Sequence, residues 1–259
     1  MAILHEHIYH HDLILRMSGL ISDPVLIFGW QEMIIRESLV TLSPRRLAQR
    51  MKSLLKYSGK VGLVKQRLGQ EKSLRRIGFR PPDQFRAHTF SEVVKRYGAT
   101  SVMVLDYLDP RADIQHDMNM PIPQEHYERF GTLIDIGCLE HVFDTAQCLE
   151  NCMRMVRTYG HFVLHTAVNG FFNHGFHVFN PDALVNAFRV NGFTVLLQRF
   201  SDEAGNVVPD PSVPTNVIAW LVARKDRPMQ KFVCPQQEKW DTYVATGKTS
   251  QSRSRPLTK

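Results

Sequence analysis

The sequence lacks the features that mark a membrane or secreted protein. It contains no apolar run near the roughly 18 residues that a membrane-spanning helix needs. The N-terminus, MAILHEHIYHHD, has no basic start followed by an apolar stretch, so no signal peptide is predicted. Four cysteines in 259 residues do not make a disulfide framework. These absences favour a cytoplasmic protein with free thiols.

Positive charge is plentiful but does not have the pattern of a nucleic-acid binder. The formal net charge is +7, and residues 45–80 are rich in lysine and arginine. This run lacks the interleaved aromatic residues that single-strand binders use for stacking on bases. A solvated helical face is therefore favoured over a patch for a polyanion, and nucleic acid is not expected as a partner. Peripheral contact with a membrane surface stays open, as does the oligomeric state.

The chain divides into three parts. Residues 1–75 are predicted to form a basic helical N-terminal extension, whose histidines at positions 5, 7, 10 and 11 are expected to be a solvated end. Residues 76–226 alternate between strand and helix patterns, and residues 227–259 predict a polar, partly disordered tail. Ser43 followed by Pro44 is typical of a helix start within the extension.

The alternation in the middle part predicts an α/β domain with a mostly parallel sheet, because strands separated by helices pair in parallel through right-handed crossovers. The last two predicted strands are joined by a loop without a helix, so they are expected to pair as an antiparallel hairpin. The predicted strands are 101–107, 112–118, 132–137, 161–168, 194–200 and 216–224, and the predicted helices are 89–97, 181–191 and one that ends at Arg157.

The segment 130–160 indicates where a ligand would bind. Its apolar run TLIDIG (132–137) has the length of a strand buried on both faces, and a short turn carrying Glu140 and His141 follows it. An amphipathic helix comes next. Ligands of α/β sheets bind at the carboxyl ends of strands, so this turn is expected to border a site.

The order of these motifs resembles the class I S-adenosylmethionine-dependent methyltransferases, and most closely the type 11-like members. The resemblance rests on the turn Leu139-Glu140-His141-Val142, on TYGHFVLHT (158–166), and on the helical stretch from Asn180 to Phe193. It implies a Rossmann-like methyltransferase sheet, S-adenosylmethionine as cofactor, and a small molecule or glycan precursor as methyl acceptor. The alternative is a non-catalytic scaffold or binding protein of the same fold that has lost cofactor binding.

The glycine turn of that family departs from its usual form here. Counting back from the strand SVMVLDY, the resemblance places the first strand and its Gly-x-Gly turn near residues 74–87, LRRIGFRPPDQFRA. Gly78 is the one glycine in this stretch and is therefore the candidate for close approach to the cofactor.

The other cofactor residues follow from the same resemblance. Asp106 matches the acidic residue that accepts hydrogen bonds from the ribose hydroxyls, and Asp117 matches the carboxylate that meets the adenine amino group. For both aspartates the alternative is a turn-forming role. The remaining residues expected around the cofactor are Tyr107, Met118, Gly137 and Glu140.

Histidines near the predicted strand ends are the candidate catalytic groups. His174 and His177 lie in the loop 168–179, which resembles an Asn-x-x-x-His-Gly-Phe-Tyr element of bacterial methyltransferase-like proteins linked to surface polysaccharides. His141 is a third candidate, since histidine is the natural base at neutral pH. The alternative is a structural loop. No metal is assigned, because no cysteine or carboxylate sits at zinc-like spacing beside His174 and His177.

Overall fold

The computed structural model describes residues 2–4, 7–34, 76 and 89–236. The predicted helix start at Ser43, Gly78 and the last 23 residues of the tail, 237–259, lie outside the described residues. The helices are α1 (Ile8–Leu15), α2 (Phe90–Arg96), α3 (Thr145–Met155) and α4 (Pro181–Val190). The strands are β1 (Ala2–Leu4), β2 (Val25–Phe28), β3 (Glu32–Ile34), β4 (Val102–Asp106), β5 (Ile114–Gln115), β6 (Phe130–Ile136), β7 (Val156–Asn169), β8 (Phe193–Asp202), β9 (Val207–Val208) and β10 (Val217–Lys225).

Eight of these strands form one sheet in the order β5-β4-β2-β6-β7-β10-β8-β9. The strands from β5 to β7 pair in parallel, whereas β10 is antiparallel to both β7 and β8. The predicted fold class is therefore confirmed: a Rossmann-like, mostly parallel sheet with a C-terminal antiparallel hairpin. β1 and β3 form a separate two-stranded parallel sheet.

The N-terminal boundary predicted at residue 75 is wrong. Strand β2, Val25–Phe28, lies in the middle of the sheet and pairs in parallel with β4 on one side and β6 on the other. All four of its residues are buried. The first strand was expected near residues 74–87 by counting back from the strand SVMVLDY. The actual strand was overlooked because it is only four residues long and its partners in the sheet lie far along the chain.

Helices cover both faces of the sheet. α1 and α2 pack on the face that carries Ile27, Ile134 and Trp220. α3 and α4 pack on the opposite face, against Leu133 and Phe162. The sheet is thus the middle layer of three, and both faces are apolar because both are covered. Within the described ranges, no helix is long and apolar enough to span a membrane.

Local sequence explains where the helices begin. Thr89 caps α2 in a capping box, in which its hydroxyl accepts from the Glu92 backbone and the Glu92 side chain accepts from the Thr89 backbone. Asn180 caps α4, and Pro181 occupies the first helical position. The helix α3 ends at Met155, slightly earlier than predicted, since the chain passes directly into β7 at Val156.

Three of the four N-terminal histidines are not a solvated end, because α1 packs them against the sheet, and His5 lies outside the described residues. His7, His10 and His11 are buried. The His10 ring stacks on Trp220, with centroids 4.8 Å apart, and the His165 ring stacks on Trp220 at 4.2 Å. Burial in this apolar layer favours the neutral imidazole, because taking the cation out of water costs more.

Burial changes the acid–base behaviour of this histidine cluster. Desolvation lowers the pKa of His10 from 6.5 to about 4. A hydrogen bond to the Gly205 carbonyl and the nearby Asp202 raise it in part, whereas Arg199 and His7 lower it further. Desolvation, together with the neighbouring histidines, also holds the pKa values of His11 and His165 well below the usual value.

We predict that the histidine cluster removes stability as the pH falls below about 6.5, against the opposite contribution of the buried carboxyls of Asp135 and Glu140, whose pKa values burial raises. The unfolded chain then binds protons that the folded histidines do not, and each such histidine removes up to about 1.4 kcal/mol per pH unit. For His10 this loss continues down to a pH of about 4. Urea unfolding at a series of pH values measures the effect.

The variant His165→Phe should reduce this slope, because it removes one buried titrating group and keeps an aromatic ring against Trp220. The variant His126→Phe is the comparison and should reduce the slope less, since His126 is only partly buried and burial lowers its pKa less strongly than that of His165. A pH dependence of stability that is the same in His165→Phe as in the wild type would contradict the prediction.

Candidate functional site

A pocket of about 350 Å³ lies at the carboxyl edge of the parallel strands, where the chain leaves β2, β4, β5 and β6. This is the edge at which open α/β sheets bind ligands. The volume lies within the range of small-molecule sites. The residues that line it are Phe28, Gly29, Asp106, Tyr107, His116, Asp117, Met118, Asn119, Cys138, His141 and Val142.

Gly29 forms the turn that closes β2. Its φ of +81° belongs to the left-handed region that favours glycine. A Cβ at this position would lie 2.4 Å from the Cys138 Sγ, so the turn approaches the end of β6 more closely than any other residue type would permit. The Cys138 thiol donates to the Phe28 carbonyl at 3.0 Å.

A single glycine replaces the Gly-x-Gly expected from the family resemblance. Gln31 stands two residues after Gly29, and its side chain is buried. The Gln31 amide donates to the Ile136 carbonyl at 3.1 Å and contacts the Cys138 Sγ at 3.5 Å. The turn after β2 is therefore held by side-chain hydrogen bonds to the end of β6.

Asp106 ends β4 and faces the pocket. Its carboxylate accepts hydrogen bonds from the backbone N–H groups of Trp30 (2.8 Å), Leu108 (3.0 Å) and Asp109 (3.1 Å). Burial acts to raise the pKa of Asp106, but these three donors outweigh it and the pKa lies below the usual value. The group is ionised at neutral pH. An ionised carboxylate offers about four acceptor sites, so one remains for a ligand.

The site extends beyond Asp106 into a second, open depression of about 420 Å³. Its wall includes Arg111, whose guanidinium lies 4.1 Å from the centroid of the Trp30 ring. The same guanidinium pairs with Asp109 at 2.7 Å. The charge of Arg111 is therefore already neutralised by Asp109. Asp106 is the residue that lines both cavities.

The segment after β5 supplies the opposite wall. Asp117 accepts from the backbone and the side chain of Asn119, at 2.9 and 2.8 Å. Hydrogen bonds from Asn119 lower the pKa of Asp117. Met118 is buried beneath this turn, and its carbonyl accepts from the Asn151 side chain at 3.2 Å. An anionic oxygen and polar groups therefore face the pocket over an apolar floor.

Glu140 and two histidines form the rim of the pocket beside β6 and β7. Glu140 is 3% exposed, and its carboxylate accepts from the Thr166 hydroxyl at 2.7 Å. Burial raises the pKa of Glu140. The rings of His141 and His174 lie 5.1 Å apart, and both side chains are exposed. Desolvation and the charge of His174 lower the pKa of His141.

Aromatic side chains continue this rim outward. Phe143 is 73% exposed and Phe176 is 67% exposed, and their rings meet edge to face at 5.8 Å. His177 packs on Phe179 and contacts the Phe143 carbonyl through Nε2 at 3.1 Å. The loop after β7 thus places exposed aromatic surface next to the pocket.

The structure brings most of the predicted site residues to one edge of the sheet. Asp106, Tyr107, Asp117, Met118 and His141 line the pocket. Glu140 and His174 do not line the pocket but lie next to His141, which does, and His177 lies farther out in the loop that carries His174. Gly137 turns the chain at the end of β6 with a φ of +73° and does not line the pocket. The roles assigned to these residues stay predictions.

Several residues of the pocket were missed. Phe28 and Gly29 could have been found from the apolar run VLIF followed by glycine, which is the signal of a buried strand and a tight turn. His116, Asn119, Cys138 and Val142 border predicted residues, and only the fold shows that they face the same cavity.

No family model and no curated protein matches the sequence. A chain of a Haloferax volcanii complex, between a methyltransferase activator and a protein described as a methyltransferase, is 12% identical with a TM-score of 0.44, covering 86% of this chain and 91% of that one. The Burkholderia thailandensis 1,6-didemethyltoxoflavin-N1-methyltransferase, solved with S-adenosylhomocysteine, is 18% identical with a TM-score of 0.38, covering 53% of this chain and 66% of that one.

The strand order and directions of the sheet carry the fold assignment. β2 lies centrally, β4 and β5 extend to one side, β6 and β7 extend to the other, and the antiparallel β10 inserts between β7 and β8. This is the arrangement of the class I methyltransferases to which the sequence motifs pointed. The chain therefore has a Rossmann-like fold, and its strand order is similar to that of the class I S-adenosylmethionine-dependent methyltransferases.

We predict that Gly29→Ala destabilises the protein by about 2–5 kcal/mol, because a left-handed backbone strains alanine and the added methyl overlaps the Cys138 Sγ. Gly19→Ala is the matched control, since Gly19 also has a positive φ (+72°) but nothing lies within 4 Å of its added Cβ. The control should lose only about 1–2 kcal/mol. Urea unfolding followed by circular dichroism measures both. Equal losses in the two variants would contradict the close approach.

Proposed function

We propose that the protein is an S-adenosylmethionine-dependent methyltransferase that acts on a small molecule or a glycan precursor. The observation that carries the proposal is the pocket at the carboxyl edge of β2, β4 and β5, where the Gly29 turn meets the carboxylate of Asp106. The fold alone would not support an activity, because one fold serves many functions. The arrangement of groups at this edge is what favours the cofactor.

The described residues fit the cofactor in three respects. The free acceptor site on Asp106 suits a ribose hydroxyl, and charge-assisted hydrogen bonds of this kind are the stronger ones. At the other end of the pocket, Asp117 and Asn119 offer polar groups that suit the adenine of the cofactor. Tyr107, which is 61% exposed, can cover an aromatic ring. None of the residues that line the pocket is a lysine or an arginine, so no fixed positive charge there would repel the sulfonium of the cofactor.

S-adenosylmethionine, when bound, supplies a methyl group on a positively charged sulfur. The residues of the chain would position the acceptor in line with it and receive the proton that the acceptor loses. His141 is suited to receive a proton, because its lowered pKa keeps the imidazole neutral at neutral pH. His174 and His177 are proposed to contact the acceptor from the loop after β7.

The acceptor is proposed to bind between the pocket and the aromatic rim. Phe143 and Phe176 provide exposed apolar surface there, and His141 and His174 provide polar groups. Small-molecule sites combine apolar walls with a few placed polar groups in this way. A small molecule with hydroxyl groups, such as a glycan precursor, has the matching chemistry.

We predict that the protein binds S-adenosylmethionine and S-adenosylhomocysteine in the micromolar range, as measured by isothermal titration calorimetry. Asp106→Asn should weaken both affinities about 10- to 100-fold, because a hydrogen bond to a charged group is lost. Asn keeps the shape of the side chain and one oxygen acceptor, so the fold should persist, and circular dichroism checks this.

Asp210→Asn is the matched control. Asp210 also accepts a hydrogen bond from a backbone N–H two residues later, that of Ser212, but it is exposed in the loop before β10. This variant should bind like the wild type. If the folded wild-type protein binds neither compound, the methyltransferase proposal fails and a non-catalytic binding role takes its place.

A further inference from the structure

We propose that Glu140, His141 and His174 form a binding site for a divalent transition-metal ion at the rim of the pocket. Glu140 and His141 lie in the short 3-10 turn after β6, and His174 lies in the loop after β7. One ligand atom from each of the three side chains lies within 4.8 Å of the other two. Two imidazole nitrogens and one carboxylate oxygen are an established donor set for metal centres in proteins.

The geometry needs little adjustment to hold an ion. Three atoms no more than 4.8 Å apart always share a point that lies about 2.8 Å or less from each, because that is the distance from the corners to the centre of an equilateral triangle of this size. Bonds to a metal are about 2.0–2.2 Å for these ligands. Both histidines are exposed, so a small rotation of each ring closes the difference.

Glu140 is the fixed member of the set. Its carboxylate is buried, and the Thr166 hydroxyl holds it at 2.7 Å. Within the part of the chain that the structure describes, no lysine or arginine forms an ion pair with it. A buried carboxylate is costly without a cationic partner, and a bound cation would supply that partner.

The backbone ties the third ligand to the first. The Glu140 carbonyl accepts from the N–H groups of Phe176 at 2.9 Å and His177 at 3.2 Å, which anchors the loop that carries His174. A Cβ on Gly175 would lie 2.8 Å from the same carbonyl, so a glycine next to His174 permits this close approach. The loop is thereby held with the His174 ring beside His141.

The donor set indicates the class of ion. Imidazole nitrogen suits zinc, copper, iron or nickel, whereas magnesium, calcium and manganese are suited to oxygen ligands. Three protein ligands leave coordination positions open, as in catalytic metal sites. If the proposed function holds, the ion would replace His141 as the group that activates the acceptor, because a histidine nitrogen bound to a metal does not receive a proton. An open coordination position beside His141 would take an oxygen of the acceptor and lower the pKa of that hydroxyl group. The acceptor would then be a hydroxyl compound.

The test is a titration of the chelator-treated, full-length protein with Co²⁺, followed by visible absorption and by calorimetry. We expect one equivalent to bind and excess Mg²⁺ not to compete. Glu140→Gln and His174→Ala should each weaken the affinity about 100-fold or more, since even loss of a group that only supports a ligand costs 10- to 100-fold. His126→Ala is the control histidine and should bind like the wild type.

Two results would overturn the metal site. One is that the folded wild-type protein does not bind Co²⁺. The other is that both variants bind Co²⁺ as tightly as the wild type, which would place the ion elsewhere, for instance on the N-terminal histidines. Titration with S-adenosylmethionine is run in parallel. Cobalt binding without cofactor binding would keep the metal site and reject the methyltransferase proposal. Cofactor binding without cobalt binding would reject the metal site alone.

Discussion

The close approach of Gly29 to Cys138 is the constraint on which the rest of the site depends. It brings the turn after the central strand β2 against the end of β6, where the Cys138 thiol donates to the Phe28 carbonyl. Asp106 joins the third strand end to this contact, because it accepts from the Trp30 N–H. Three parallel strands therefore end in loops that fasten one another, and the pocket is the space that those loops enclose.

Strand β7 serves two different environments because its side chains alternate between the faces of the sheet. His165 points to the face covered by α1, where its ring stacks on Trp220 and its pKa is strongly lowered by burial. Thr166, the next residue, holds the Glu140 carboxylate near the rim. Two consecutive residues of β7 thus take part in two different clusters: His165 belongs to the buried histidine cluster on one face of the sheet, and Thr166 holds Glu140 at the rim of the pocket on the other.

Much of the fold could be predicted because it depends on local patterns in the sequence. The strand TLIDIG and the hairpin of β8 and β10 follow from apolar runs and their spacing, and Asn180 and Pro181 mark the start of α4 by their capping chemistry. The site was harder to predict. Asp106 and Asp117, which the family resemblance places at the ends of predicted strands, both line the pocket, but Gly29 was missed because its strand is short and distant in sequence from the strands that it pairs with.

The sequence by itself determined the type of most elements between residues 89 and 226, since these depend on neighbouring residues and on periodicity. Tertiary structure alone decided which strand lies at the centre, which glycine makes the turn, and which polar residues share an edge. Those outcomes depend on pairings between segments far apart in the chain, such as Val25 with Val102 and Thr132. They also depend on packing, which placed the N-terminal histidines against Trp220 instead of in water.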